Sequence, residues 1–365
     1  MPRTRLSPEV FALPLDQLRD GYYSDVYFNC TKGVLEAQDL HPRVTMQVFQ
    51  KQERAVLGGI DEALAVLKLC TGRYTGEAEA RSWEPGWDQL AVSALHDGDE
   101  VAAWDTVMTI DGDYSLFAHL ETVFLGALTR RTLISTNVRR VVEAAAGKPI
   151  LFFPARFDHY RVQTGDGYAA HIAGAIGVST DAQASWWGGK GIGTVPHGLI
   201  AACRGDTVEA TRRFADVYHP ELNVTALVDF DNDCVGTSLA CARALGDRLW
   251  GVRLDTSETL VDRSLWGRMG SFRPTGVAPE LVRAVRRALD AEGFRRVSIV
   301  VSGGFTAERI AAFEAAGVPA DAYGVGSSLL RGVADFTADV VRLDGAPCAK
   351  VGRDYRPNPR LEIVE

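Results

Sequence analysis

The 365-residue chain contains no pair of cysteines at the CxxC spacing; its six cysteines (Cys30, Cys70, Cys203, Cys234, Cys241 and Cys348) are scattered. That absence speaks against a structural zinc site, and cysteines set in apolar runs are expected as buried free thiols. A basic excess is also missing. The net charge of -8 argues against general nucleic-acid binding, while a few local cations and backbone amides would suffice for an anionic substrate. No stretch reaches the ~20 apolar residues of a membrane span, and Met1 to Leu15 carries Pro2, Pro8 and Pro14 in place of an apolar secretory core. A cytoplasmic protein without membrane or nucleic-acid partners is expected. Repeats and low-complexity tracts are lacking too. What remains, 46% hydrophobic and 24% charged residues, is the make-up of an ordinary globular protein. Its length allows one large domain and a smaller one.

The first part of the chain mixes element types. Val44–Phe49 alternates with period two and predicts a strand, whereas Gly59–Cys70 has helical spacing. The aromatic run Tyr22–Phe28 suits a strand or the start of a helix. A likeness to a small α+β domain extends over residues 1–114. Apolar positions recurring at three and four predict a helix over Ser115–Ala146, ended by Gly147.

A regular beat follows. Apolar strands are expected at Pro149–Phe153, Ala175–Val178, Ile192–Val195, Val224–Phe230, Leu249–Leu254, Val297–Val301 and Ala322–Val325. Helical segments separate them, among them Asp206–Val217, Cys234–Leu245, Pro279–Glu292 and Ala307–Ala316. Strands alternating with helices imply parallel pairing. A doubly wound sheet fits this beat, but strands ending in polar or glycine residues favour an α/β fold with a seven-stranded βα barrel over residues 115–335. Residues 336–365 are expected to return to the N-terminal sandwich, with Val340–Leu343 and Arg360–Val364 as strands.

Two glycine loops close the last strands: Ser302-Gly303-Gly304 and Gly324-Val325-Gly326-Ser327. Glycines let backbone N–H groups approach phosphate oxygens, and a following helix N-terminus adds partial positive charge. Late-strand loops are where barrels commonly hold phosphate; the plainer alternative is two tight turns without a ligand. Asp229 and Asp255 directly follow apolar strand residues, which suggests contacts to a divalent metal or to ribose hydroxyls. Asp231 and Asp233 read equally well as helix caps or solvated loop charges. Arg253 can clamp an anion with planar, bidentate bonds. His197 would serve as acid, base, nucleophile or phosphate ligand, although a lone histidine is more often structural. Phe153, beside Arg156, offers a face for a planar ring or is an ordinary core residue.

In this order, the pieces resemble nicotinate phosphoribosyltransferases, most closely the shorter, archaeal-like branch. Ser24-Asp25-Val26-Tyr27 is similar to the family's Thr-Asp-x-Tyr element, and Glu121-Thr122 to its Glu-Thr helix. Phe153-Pro154-Ala155-Arg156 is similar to Phe-Gly-x-Arg, with Pro154 in place of glycine. Gly177-Val178-Ser179-Thr180 stands at the Gly-Thr-Ser-Asn position, Gly193-Thr194-Val195-Pro196-His197 matches Gly-Thr-x-x-His, and Arg253-Leu254-Asp255 matches Arg-Leu-Asp.

The resemblance implies transfer of phosphoribose from phosphoribosyl pyrophosphate to nicotinate in NAD biosynthesis, with Mg2+ carried by the pyrophosphate. It implies a homodimer in which Phe153 and Tyr27 of the partner subunit sandwich the pyridine ring. Arg253 would face the nicotinate carboxylate or the ribose, and Arg156, Ser179 and Thr194 would line the substrate site. Asp229 and Asp255 would contact ribose or pyrophosphate; Ser302, Gly303, Gly304, Gly324, Gly326 and Ser327 would hold the 5-phosphate. ATP hydrolysis through a phosphorylated His197 is a further implication, although Gly198 replaces the common serine and Thr256-Ser257 replaces Ser-Gly. Ser179, where nicotinamide-selective relatives carry aspartate, is read as favouring a carboxylate. The competing readings are a quinolinate phosphoribosyltransferase, with Arg131, Arg139, Arg140, Arg156 and Lys190 as extra cations, and a phosphate-binding barrel lyase or isomerase. The latter would need a lysine or glutamate at a strand end, and none is found. A ligand-binding relative without activity is the non-catalytic alternative.

Overall fold

Alternating apolar residues build Arg43–Gln50 into the centre of an antiparallel sheet in the computed structural model, which describes residues 4–76 and 80–365. The six strands run Ala346–Pro347, Phe336–Leu343, Arg43–Gln50, Thr106–Asp113, Ala91–Ala94 and Glu362–Ile363 in spatial order. Two of the three C-terminal strands thus pair with N-terminal ones, Val44 facing Leu343 and Ser93 facing Ile363. Met46, Val48, Val92, Met108 and Ile110 pack with Ile60, Leu64 and Leu67 of the helix Ile60–Cys70. On the other face, the Gln47 amide donates to the carbonyl of Asp354 and the Thr106 hydroxyl to that of Arg356. These elements belong to one unit, Met1–Thr136 with Gly332–Glu365; Asn137–Arg331 forms a second. The aromatic run lies partly in a helix, Val26–Ala37. The long helix is Glu121–Ala144, preceded by two short 3-10 turns.

The second unit is an all-parallel sheet of six strands: Ile150–Phe152, Gly177–Val178, Thr225–Leu227, Gly251–Leu254, Ser298–Val301 and Ala322–Val325. The last strand pairs with the first, Tyr323 facing Ile150. Helices between strands begin on side-chain caps: Asp206 accepts from the N–H of Glu209, Asp233 from Gly236 and Thr306 from Arg309. Pro279 opens another, whose Leu281, Val282, Val285 and Leu289 are all buried.

The expected seventh strand, Ile192–Val195, is not formed. Gly191 and Gly193 weaken an extended segment and Pro196 brings no N–H donor. The segment instead makes single hydrogen bonds to the strands on either side, Ile192 N–H to Val178 (2.7 Å) and Val195 N–H to Thr225 (3.1 Å).

Candidate active site

A parallel ladder brings the C-terminal ends of neighbouring strands together, and the polar residues after each strand meet there. Leu254 and Val301 face one another in register, so Asp255 and Ser302 leave adjacent strands side by side. The Ser302 hydroxyl donates to Asp255 Oδ1 at 2.8 Å. Arg253 Nη2 lies 3.5 Å from Asp255 Oδ2, and its guanidinium carbon is 6.0 Å from the centroid of the Phe153 ring. Burial lowers the basicity of Arg253, offset by Asp255 and Asp229, with Arg156 opposing. Its buried Nε has no hydrogen-bond partner. A desolvated cation with a donor to spare favours an added anion.

On the next strand, Asp229 Oδ1 lies 3.0 Å from His197 Nε2. The Asp229 side chain is only 8% exposed. Burial raises its carboxyl above the usual range, His197 pulls it back, and Asp255 adds a smaller upward push. His197 begins the short helix His197–Ala202, its ring half-exposed and 6.1 Å from that of Phe230.

The glycine loops are built for close approach. Gly303 and Gly304 both have positive φ, 86° and 70°, a conformation that L side chains rarely adopt. A Cβ at Gly303 would lie 3.3 Å from Asp255 Oδ1. One at Gly324 would stand 2.8 Å from the Phe153 ring, and one at Gly326 2.9 Å from that of Phe157. Ser327 starts a 3-10 turn, and the Ser328 hydroxyl donates to the carbonyl of Phe305.

Arg309, which the sequence reading missed, braces the first loop. It donates to the carbonyls of Gly303 (2.8 Å) and Val277 (2.9 Å), with its guanidinium carbon 4.3 Å from the Phe305 ring centroid. Glu258 was missed as well; its carboxylate packs on Gly304 and lies 3.6 Å from Arg309. The signal for Arg309 was a cation in the first turn of the helix after a glycine pair; nothing in the pattern marked Glu258.

The remaining expected residues have other surroundings. Ser179 spends both its N–H and its hydroxyl proton on Gln183 Oε1, at 3.0 and 3.1 Å. Thr194 is half-buried on the segment before His197. Arg156 is exposed, 5.4 Å from the Phe157 ring centroid. Asp233 is a helix cap, and Asp231 is exposed. Tyr27 belongs to the first unit, exposed, with its hydroxyl 3.4 Å from Asp25. Arg131 is held by Glu62 at 2.9 Å, which removes it from the set of cations a two-carboxylate substrate would need.

Comparison with known proteins bears on this arrangement. Residues 25–132 match the family model described as quinolinate phosphoribosyl transferase, N-terminal domain. A nicotinate phosphoribosyltransferase of Mycobacterium tuberculosis is 31% identical over 262 residues, 69% of this chain and 53% of that protein. The chain spans about half the length of the curated relatives it matches. The crystal structure of nicotinate-nucleotide pyrophosphorylase from Pyrococcus furiosus is 31% identical, aligned over 100% of this chain and 86% of its own, with a TM-score of 0.78. Human nicotinic acid phosphoribosyltransferase shares the fold at 16% identity, over 91% of this chain and 77% of its own (TM-score 0.63).

Proposed function

The chain belongs to the type II phosphoribosyltransferases, and we propose that it joins nicotinate to phosphoribosyl pyrophosphate, giving nicotinate mononucleotide and pyrophosphate. One observation carries the reading: Arg253, a buried cation with an unpartnered Nε, lies beside both the Phe153 ring and Asp255. That trio offers an anion clamp, a stacking face and a carboxylate within one strand-end cluster, as a pyridine carboxylate meeting a ribosyl cation requires.

The pyridine nitrogen uses its own lone pair to form the bond to C1 as the bond from C1 to the pyrophosphate oxygen breaks. The electron pair leaves with pyrophosphate, and no proton need move. Catalysis therefore reduces to positioning and charge. Phe153 stacks the ring and Arg253 orients the carboxylate. Asp229 and Asp255 stabilise positive charge developing on ribose, and Ser302, Gly303, Gly304, Gly324, Gly326 and Ser327 hold the 5-phosphate, braced by Arg309. Mg2+ bound to the pyrophosphate supplies charge neutralisation. It typically takes only one or two protein carboxylates, and Asp229 and Asp255 fit that role. Arg156 and Thr194 border the substrate in this reading.

Coupling to ATP is part of the proposal. His197 Nε2 faces Asp229, so its N–H is held there and the Nδ1 lone pair is the nucleophile for a phosphoryl group. The proposed enzyme is a cytoplasmic homodimer, with Tyr27 of the partner subunit closing the ring site opposite Phe153. The parallel sheet is proposed to close into an irregular barrel, supported by the pairing of its last strand with its first and by the bonds from Ile192 and Val195.

Purified protein given phosphoribosyl pyrophosphate, Mg2+ and nicotinate should form the mononucleotide, faster with ATP; activity on quinolinate alone would overturn the assignment. His197→Ala should abolish the ATP stimulation and keep basal transfer. Mixing Tyr27→Ala with Asp255→Ala subunits should restore part of the activity. If the mixture stays as inactive as its parents, the shared site is wrong.

A further inference from the structure

The two carboxylates proposed to face ribose come from different loops, and the sheet alone does not fix their spacing. The ladder between their strands runs to the Val228 N–H, which donates to the carbonyl of Arg253 at 3.1 Å. Beyond it, one chain turns through Asp229 into the helix Cys234–Leu245, while the other runs from Asp255 to Pro279 with a 3-10 turn, Arg263–Arg268, and a single antiparallel bridge between Val261 and Thr275. A segment of that length would ordinarily wander.

It is tied down at three points. Asp262, with 0% exposure, accepts from the N–H of Cys234 at 2.8 Å through Oδ2. Through Oδ1 it accepts from the N–H and hydroxyl of Ser264 at 3.0 and 2.6 Å. Asn232 reaches the same place from the opposite loop. Its amide donates to the carbonyl of Val261 at 2.7 Å, and its own carbonyl accepts from the Arg263 N–H at 2.9 Å. Asn232 has a φ of 55°, which asparagine tolerates better than most residues. The third tie lies next to Asp255, where Cys234 Sγ and the hydroxyl of buried Thr256 are 3.6 Å apart.

A fully buried carboxylate is a costly way to fill space. Its value is directional: charge-assisted acceptors fix the donors around them. We infer that Asp262 and Asn232 are positioning residues that lock the Asp229 loop to the Asp255 loop and set the spacing of the two carboxylates across the reacting ribose. The inference rests on the transferase reading for its catalytic consequence and on the hydrogen bonds alone for the lock. Catalytic geometry is steep, with ~1 Å of misplacement worth about 10²-fold in rate.

The test combines kinetics with amide hydrogen exchange on the full chain. Asp262→Ala should lower kcat on the order of 10²-fold, with KM for nicotinate and phosphoribosyl pyrophosphate changed by less than about twofold. Asn232→Gly accepts the positive φ and keeps its backbone bond, so it should fold even if Asp262→Ala does not, with a smaller kcat loss of roughly tenfold. The double variant should be no slower than Asp262→Ala, as expected of one coupled unit. In each variant, amides of residues 229–234 and 255–264 should lose protection together while Ile299–Val301 keep theirs. Loss in one loop only, or an unchanged kcat in the folded variants, overturns the lock. If wild-type protein makes no mononucleotide while the variants show the paired exchange loss, the lock stands and the transferase reading falls instead.

Discussion

The strand ends of the second unit and the start of the long helix in the first surround their carboxyl groups differently. At the strand ends of the second unit, Asp229 is pulled back toward ionisation by His197 at 3.0 Å, and Asp255 meets Arg253 and the Ser302 hydroxyl. In the first unit, the charges acting on Glu121 are Asp339 and Asp25, both negative, and with burial they push its carboxyl up to about 8. One region gives its acids a histidine, a guanidinium and a hydroxyl as partners; the other surrounds an acid with like charge. The first arrangement suits the stabilisation of a developing cation; the second makes stability depend on pH.

The largest effect expected from breaking this contrast is at Asp255. Asp255→Asn removes the charge facing Arg253 and leaves one oxygen to accept from Ser302. Loss of one such contact typically costs about 10²–10³-fold in rate, so kcat/KM for transfer should fall by that order; a fall below about tenfold would remove Asp255 from the reacting centre. A smaller effect should follow Gly324→Ala. Its Cβ would fall 2.8 Å from the Phe153 ring and 3.2 Å from Ser302 Cβ. Displacing the ring should raise KM for nicotinate on the order of tenfold, about 1.4 kcal/mol, with kcat less affected. An unchanged KM would show that Phe153 does not stack the substrate.

A third effect is on stability rather than on rate. The folded carboxyl of Glu121 titrates near 8, against about 4.3 in an unfolded chain. Between those values the folded state keeps a proton that the unfolded chain releases, so this group's contribution falls as pH rises from about 4 to about 8. Glu121→Gln should therefore match the wild-type Tm near pH 4 and exceed it above pH 8. Parallel Tm curves across that range would mean that Glu121 is ionised in the fold.

Periodicity carried most of the secondary structure. Strands such as Ala322–Val325 and helices such as Cys234–Leu245 follow the apolar pattern, because burial of one face decides both. It failed at Ile192–Val195, where the glycines weaken an extended segment and Pro196 lacks the N–H that would continue a ladder. Among the proposed site residues, Asp255 and Ser302 stood out because each directly follows an apolar run, Arg253 because it is a cation inside one, and the glycines because they cluster at strand ends. Asp262, Asn232, Glu258 and Arg309 were not. Their roles depend on contacts between loops that have no period, and Asp262 in particular reads as one more loop charge until its three donors are seen.

Ser179 carries a last consequence. A hydroxyl has one proton, and here Gln183 takes it. What Ser179 has left for a ligand is lone pairs, which welcome an amide N–H and offer nothing to a carboxylate. It still carries no negative charge where an aspartate would repel a carboxylate. In the proposed enzyme, the pull that favours acid over amide therefore comes from Arg253, a single residue whose preference salt and neighbouring anions can tune.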